Sequence, residues 1–242
     1  TLEVDKKTPT VGDTVTFTAT VKDKHGNPIP GLEVTFATTG SADVHNDAEG
    51  KGTTDANGVA TYQFTDGVKK TGTDTWTASI ADGPSDSVNI QWRAGSPATI
   101  QLTASATSPK AGETVTLTAT VYDANNNVVD WFNDQIVFET IAGPRSITRA
   151  EFAQSGVARL DYSATIRGTD TWRASRDTTR SNTVDIQWVA ADPYEVDLTI
   201  TPSEQTVGGE VTLTATILDQ YGNTVGREEG QVTFSVIEGP GV

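Results

Sequence analysis

The sequence predicts an all-β protein built from tandem antiparallel β-sandwiches, and two observations carry this prediction. The first is alternation, because Val15, Phe17 and Ala19 are separated by single threonines. A period of two is typical of a strand that buries one face and exposes the other. The second is repetition, since the residues around Trp76 return 96 positions later around Trp172. A period of this length is the size of a small domain and not of a short solenoid unit.

The repeated segments divide the chain into three parts. A threonine-rich stretch occurs three times, at 12–21, 112–121 and 208–217. We predict complete domains at 1–94 and 95–190, followed by the first half of a third domain at 191–242. The connecting segments 93–97 and 189–193 are short and each contains a proline, which stiffens a linker. The expected architecture is therefore an elongated array.

Runs of alternating residues, separated by Gly and Asn/Asp clusters, define the strands of the first domain. Seven short antiparallel strands in a domain of this size is the count of an immunoglobulin-like sandwich. The predicted strands are Leu2–Thr8, Thr14–Lys22, Leu32–Ala37, a weak strand within Ala42–Thr54, Val59–Thr65, Thr73–Ala81 and Ser85–Trp92.

Four tryptophans occupy inward positions of the last two strands of each complete domain. They are Trp76, Trp92, Trp172 and Trp188. The chain has no cysteine, so no disulfide can join the two sheets. We therefore expect these large side chains to dominate the two cores.

The charge balance excludes several classes of partner. The chain has 17 Lys and Arg against 32 Asp and Glu, a formal net charge of −15. Such an acidic protein repels phosphate, which argues against nucleic acid and anionic lipid as partners. No apolar stretch approaches the roughly 20 residues of a membrane-spanning helix, so we expect no membrane insertion in this segment.

Two motifs resemble those of the bacterial immunoglobulin-like repeats of the invasin/intimin type. One is the stretch 21–36 around Asp23-Lys24-His25-Gly26-Asn27, and the other is 54–60 around Asp55-Ala56-Asn57-Gly58. The third segment resembles the first motif at 219–223 and 232–234, whereas the second domain departs from it at 123–130. The resemblance implies an extracellular, bacterial cell-surface location and a role as a stalk that holds an adhesive tip domain.

The best candidate metal ligands are Asp123, Asn125 and Asn127, which have the one-three-five spacing of a calcium loop. The glycine and the distal glutamate of such a loop are missing, and Asp23 and Asp219 occupy the equivalent turns. A turn-forming role is therefore the preferred interpretation, with calcium as the alternative cofactor. A second acidic stretch, with carboxylates at 43, 47, 49 and 55, is interpreted as solvated loop residues.

The candidates for ligand binding are Trp131 and Phe132, which have no counterpart in the other repeats. They could cover the edge of the second domain or form an exposed adhesive patch, and packing is preferred. His25 and His45 lie in polar turns without a metal-ligating partner, so both are predicted at the surface. No catalytic residue is identified.

The leading hypothesis is a non-enzymatic spacer segment of a surface adhesin-like protein. Its partners would be other domains of the same long chain, and a host or neighbouring-cell surface or other filament subunits. The alternatives are a structural subunit or decoration domain of an extracellular filament or phage virion, and a ligand-binding module. The third segment is expected to supply three strands, too few to close a sandwich.

Overall fold

The protein is described by a computed structural model that covers residues 1–38, 44–46, 48–226 and 231–238. The predicted all-β class is confirmed, because the elements assigned to these residues are strands that pair antiparallel, joined by turns and isolated bridges. Across these ranges, no helix has the length and apolar character needed to cross a membrane.

The first repeat forms two antiparallel sheets. Its strands are β1 (Leu2–Val4), β2 (Thr14–Thr20), β3 (Glu33–Thr38), β4 (Glu49–Thr53), β5 (Val59–Thr65), β6 (Gly72–Ser79) and β7 (Ser85–Trp92). One sheet has the order β1-β2-β5 and the other has the order β4-β3-β6-β7. The two sheets face each other through aromatic rings, with the centroids of Phe17 and Trp76 only 4.5 Å apart.

The second repeat has the same topology. Its strands are β8 (Pro97–Ala104), β9 (Thr114–Asp123), β10 (Gln135–Ala142), β11 (Thr148–Phe152), β12 (Val157–Ser163), β13 (Gly168–Arg176) and β14 (Thr179–Trp188). The sheets have the orders β12-β9-β8 and β11-β10-β13-β14. Tyr162 on β12 packs edge-on against Trp172 and Trp188, with centroid distances of 5.0 and 5.8 Å. Trp76, Trp92, Trp172 and Trp188 are all fully buried.

The first strand is shorter than predicted because the chain changes sheets after Val4. The Asp5 side chain accepts a hydrogen bond from the Thr16 N–H at 2.8 Å, which ends the ladder with β2. The backbone carbonyl of Lys7 then accepts a hydrogen bond from the N–H of Gln91, and that of Pro9 accepts one from the N–H of Arg93, at the end of β7. An alternating pattern does not reveal which partner a strand pairs with, so this switch was not predicted.

In the third segment, the described residues form one pair of strands, β15 (Pro193–Thr201) and β16 (Thr212–Asp219). The prediction of a third strand was wrong, because residues 231–237 form no strand. In the complete repeats the corresponding strand β3 pairs with β4 and β6.

The chain divides into two compact units. One comprises Thr1–Gln101, Thr120–Asp134 and Ala153–Val157. The other comprises Leu102–Ala119, Gln135–Phe152 and Ala158–Val242. The junction between the first two repeats lies within the first unit, and the next junction lies within the second. The domain bounds 1–94, 95–190 and 191–242 stay a prediction.

The surface position predicted for His45 was wrong, because its side chain is buried at 4% exposure. Its ring nitrogens lie 2.6 Å from Asp74 Oδ2 and 2.8 Å from Asp66 Oδ1. Asp74 also accepts a hydrogen bond from the Trp92 indole N–H at 2.6 Å. The sequence around His45 is polar, which suggested an exposed loop. The two carboxylates that bind the buried ring lie 21 and 29 residues further along the chain. His25 is exposed.

The second sandwich places an arginine where the first sandwich has His45. Asp170, the counterpart of Asp74, is buried and forms an ion pair with Arg145. The Arg145 guanidinium also lies 6.0 Å from the centroid of the Trp188 ring, the counterpart of Trp92. Both sandwiches therefore contain a buried carboxylate bonded to a histidine or arginine side chain beside a core tryptophan.

Gly58 is expected to tolerate alanine far less than Gly26, although both have positive φ, of 73° and 87°. A Cβ at Gly58 would lie 2.4 Å from the Val21 carbonyl oxygen, whereas a Cβ at Gly26 meets nothing within 4 Å. We expect Gly26→Ala to cost about 1 kcal/mol of unfolding free energy. Gly58→Ala should cost on the order of 3 kcal/mol, because backbone must also move. Urea unfolding of both variants measures these free energies, and an equal loss of stability in the two variants would contradict the prediction.

Candidate functional site at the two repeat junctions

The turn after strand β9 is organised by the carboxylate of Asp123. Its Oδ1 accepts the N–H groups of Asn125 at 2.8 Å and of Asn127 at 2.9 Å. Its Oδ2 accepts the side-chain amide of Asn127 at 3.0 Å. Short polar side chains favour such turns because they supply acceptors to nearby backbone N–H groups. The same Oδ2 reaches beyond the turn, where it accepts the N–H of Gly95 at 2.9 Å in the segment between the repeats.

Asn127 connects this turn to the end of the first repeat. Its side-chain amide donates to the Lys69 carbonyl at 2.9 Å, and its side-chain oxygen accepts the Thr71 N–H at 3.2 Å. Asn127 is only 9% exposed, so both bonds are shielded from water. The turn therefore fixes the connecting segment through Asp123 and the preceding loop through Asn127.

The junction before the third segment repeats this arrangement at positions shifted by 96. Asp219 accepts the N–H of Ala191 at 2.8 Å, as Asp123 accepts that of Gly95. The Asn223 side chain donates to the Thr165 carbonyl at 2.7 Å and accepts the Arg167 N–H at 2.9 Å. We call the Asp123–Asn127 and Asp219–Asn223 turns, with the groups they bind, the junction clamps.

Both clamp carboxylates are held in the ionised form. Burial opposes ionisation of Asp123, but hydrogen bonds from the side chain and backbone of Asn127 and from Gly95 outweigh it and lower its pKa. At Asp219, burial is outweighed by bonds from the Asn223 side chain and from the backbone of Ala191, Asn223 and Tyr221. These bonds lower the pKa of Asp219 to about 2. A carboxylate that accepts several N–H groups is stabilised in its charged form.

Acid is expected to release the second clamp only near pH 2. The pKa of Asp219 is lowered from 3.8 to about 2, so its stabilisation of the fold is complete above pH 4. That stabilisation declines as the pH falls and is lost below the lowered pKa. A ¹³C titration of the carboxyl group should have its midpoint near 2, with the Ala191 amide shift following it. A midpoint near 3.8 would contradict the prediction, and Asp219→Asn should abolish the transition at Ala191.

The candidate metal ligands occupy one of these clamps. The oxygens of Asp123 and the side chain of Asn127 face N–H donors and a carbonyl, and Asn125 contributes its backbone N–H. In the part of the chain that the structure describes, no three His, Asp or Glu side chains are grouped to hold a metal. Calcium binding stays an untested prediction. In the second acidic stretch, Asp43 and Asp47 lie outside the described residues.

The candidate ligand-binding pair separates into two environments. Phe132 is buried at 2% exposure, whereas Trp131 is 45% exposed. The indole N–H of Trp131 donates to the Ala94 carbonyl at 3.1 Å. Trp131 thus covers the connecting segment next to the first clamp.

Sequence reasoning identified the turns but not their connections to the preceding repeat. Asn223 was noted only as part of the motif at 219–223, and the backbone groups of Lys69, Thr71, Thr165 and Arg167 were not singled out. One signal was available, because an Asp and an Asn four residues apart recur at 23/27, 123/127 and 219/223. Turn formation alone explains that spacing, so the bonds to another repeat could be found only from coordinates.

Comparisons with known proteins agree with this architecture. The family model for bacterial Ig-like domains of group 1 matches residues 1–93. The inverse autotransporter adhesin YeeJ of Escherichia coli K12 is 30% identical over 241 residues, which cover 90% of this chain and 10% of that protein. The chain thus spans about a tenth of the length of this curated relative.

Two solved structures share the fold. The E. coli adhesin FdeC has a TM-score of 0.59 and 21% identity, over 93% of this chain and 74% of that one. InvD of Yersinia pseudotuberculosis has a TM-score of 0.61 and 18% identity, over 93% of this chain and 71% of that one. The family model thus assigns residues 1–93 to the bacterial Ig-like domains of group 1, and the adhesin relative and both structures are similar to this chain over at least nine tenths of its length.

Proposed function

We propose that the chain is a non-enzymatic spacer segment of a bacterial cell-surface adhesin-like protein, located outside the cell. The observation that carries the proposal is the recurrence of the same clamp at both junctions, with equivalent donors and acceptors 96 positions apart. A spacer needs each repeat to be fixed to its neighbour, and a repeated clamp does this at every junction. The relative YeeJ is named an adhesin, which supports the setting.

The clamp suits this task because it acts mainly on backbone groups. Asn127 binds the carbonyl of Lys69 and the N–H of Thr71, while Asn223 binds those of Thr165 and Arg167. The side chains of these loop residues differ between the two junctions. The loop sequence can therefore vary while the connection is kept. Other domains of the same long chain are the direct partners of such a segment, and contact with a host or neighbouring cell would belong to another part of the protein.

The proposal is tested by measuring how firmly the first clamp holds. The chain has no cysteine, so Thr61→Cys and Ser163→Cys provide two unique, exposed positions for spin labels. We expect a narrow distance distribution by electron double resonance in the parent protein. Asn127→Ala should broaden it, because the loop at 69–71 loses its two bonds.

Asn57→Ala is the matched control, since Asn57 lies in an exposed turn of the first sandwich and takes no part in a clamp. It should leave the distribution narrow. A broad distribution in the parent protein, or no change in Asn127→Ala, would refute the spacer proposal.

A further inference from the structure

The two sandwiches differ in how the buried carboxylate of the core is paired. In the first, Asp74 accepts the His45 backbone N–H at 3.0 Å and the Trp92 indole N–H at 2.6 Å, and it lies 2.6 Å from a ring nitrogen of His45. In the second, Asp170 is bonded to Arg145 through Oδ2, whereas its Oδ1 has no hydrogen-bond partner among the described residues. Both carboxylates are fully buried. The second sandwich therefore leaves one oxygen of its buried carboxylate unpaired.

Two buried N–H donors of the same cluster are unpaired as well. The Nη2 of Arg145 has no acceptor in the described part of the chain, although Nη1 of the same guanidinium bonds Asp170. The indole N–H of Trp188, a side chain that is 1% exposed, has none either. The guanidinium carbon lies 6.0 Å from the centroid of the Trp188 ring, and Trp92, at the equivalent position, reaches its own carboxylate directly. The cluster thus combines one unpaired acceptor with two unpaired donors.

Water is the ligand that matches this set of groups. Folded proteins pair nearly all of their buried polar groups, with ordered water where no protein group is available. A water molecule can accept from both donors and donate to the carboxylate, and internal waters typically make about three hydrogen bonds. An anion would be repelled by Asp170, and a cation by Arg145. The indole N–H groups of Trp76 and Trp172 are also unpaired, but these two are alike in both sandwiches, so the difference lies at Trp188.

A tyrosine makes the same region of the second core more polar. Tyr162 is the counterpart of Phe64, and each ring packs against the two tryptophans of its own sandwich. Burial raises the pKa of the Tyr162 hydroxyl, which also responds to the charges of Arg145, Asp170 and Arg149. The hydroxyl is therefore close to the ion pair. The first sandwich has a phenylalanine at this position and no hydroxyl there.

We propose that the second sandwich binds one water molecule in its core, held by Asp170 Oδ1, Arg145 Nη2 and Trp188 Nε1. The water donates to the carboxylate and accepts from the guanidinium and the indole, so it joins the ion pair to the core tryptophan. In the first sandwich the direct bond from Trp92 to Asp74 makes this connection without water. The site does not depend on the junction clamps or on the proposed spacer function.

A high-resolution crystal structure of the chain tests the proposal directly. We expect an ordered water at hydrogen-bond distance, about 2.7–3.2 Å, from all three atoms. The first sandwich is the matched control, because no water is expected between Asp74 and Trp92. A direct bond between Trp188 and Asp170, or a core in which no water contacts the three atoms, would overturn the proposal.

Magnetisation transfer from water to the indole protons tests the site in solution. The chain carries ¹⁵N-labelled tryptophan and Tyr162→Phe, which removes the nearby exchangeable hydroxyl and introduces the residue type that the first sandwich has there. We expect transfer to the Trp188 indole N–H with the sign of a long-lived bound water. Adding Arg145→Lys, which keeps the positive charge but lacks the second nitrogen, should abolish this transfer.

The Trp92 indole N–H is the control within the same sample, and its transfer should be the same with and without Arg145→Lys. No transfer to Trp188, or a transfer that Arg145→Lys leaves unchanged, would contradict the proposed site. The crystal structure needs no substitution, so the proposal can be refuted even if one of these variants fails to fold.

Discussion

Asp74→Ala is expected to lower the unfolding free energy of the first sandwich by about 3–5 kcal/mol, because several buried hydrogen bonds to one carboxylate are lost together. Asp74 is fully buried and accepts three hydrogen bonds, from the His45 backbone N–H, the His45 ring and the Trp92 indole. Alanine leaves the imidazole of His45 facing a cavity and the indole N–H without an acceptor. Buried polar groups that lose their partners carry the full cost of their desolvation.

The measurement is native-state hydrogen exchange at the slowest amides of strand β6, which reports on the first sandwich alone. Asp86→Ala serves as the control, because Asp86 is an exposed carboxylate of the same sheet that, among the described residues, accepts hydrogen bonds only from the backbone N–H groups of Leu2 and Ser87. It should lower the unfolding free energy far less than Asp74→Ala does, because the side chain of Asp86 is exposed to water. Asp170→Ala should produce the corresponding loss in strand β13 by leaving Arg145 without its partner. If Asp74→Ala lowered the unfolding free energy measured at β6 as little as Asp86→Ala does, the hydrogen bonds of Asp74 to His45 and Trp92 would contribute little to stability.

The alternation of apolar and polar residues was enough to predict the sandwiches. Side chains in a strand point to opposite faces in turn, so Val15, Phe17 and Ala19 must share one face, and all three are buried. Because the same sequence pattern recurs 96 residues later, it also predicted the second sandwich. This information is local, and strand formation depends largely on local pattern.

The polar clusters could not be predicted in the same way, because their members are far apart in sequence. His45 meets carboxylates 21 and 29 residues away, and Asn127 meets a loop 56–58 residues away. A polar loop residue is usually solvated, so the surface position was the natural expectation for His45. The spacing of Asp123, Asn125 and Asn127 likewise does not reveal whether backbone N–H groups or a cation satisfy the carboxylate.

Asp123→Ala is expected to destabilise the first junction by about 3 kcal/mol or more. Asp123 provides the acceptor for the N–H groups of Gly95, Asn125 and Asn127, and also holds the Asn127 side chain in place. A hydrogen bond to a charged group contributes about 1.5–3 kcal/mol, and here several are lost together. The Asn127 side chain, once released, should also lose its bonds to the loop at 69–71.

Asp23→Ala is the matched control within the same chain. Asp23 accepts the equivalent bonds inside its own turn but makes none to a linker or to another repeat. We expect a much smaller loss of stability than in Asp123→Ala, since exposed hydrogen bonds are replaced by bonds to water. The difference between the two variants therefore measures the part of the clamp that connects repeats.

Hydrogen exchange at the Gly95 and Thr71 amides gives the readout. Asp123→Ala should speed exchange at both, although Thr71 does not contact Asp123 and depends on it only through Asn127. Faster exchange at Gly95 alone would mean that Asn127 keeps its position without the carboxylate, and the two halves of the clamp would then act independently. Faster exchange at both amides, with none in Asp23→Ala, requires a single cooperative clamp. Because the residues at 219 and 223 make the equivalent bonds, Asp219→Ala should act in the same way on Ala191 and Arg167.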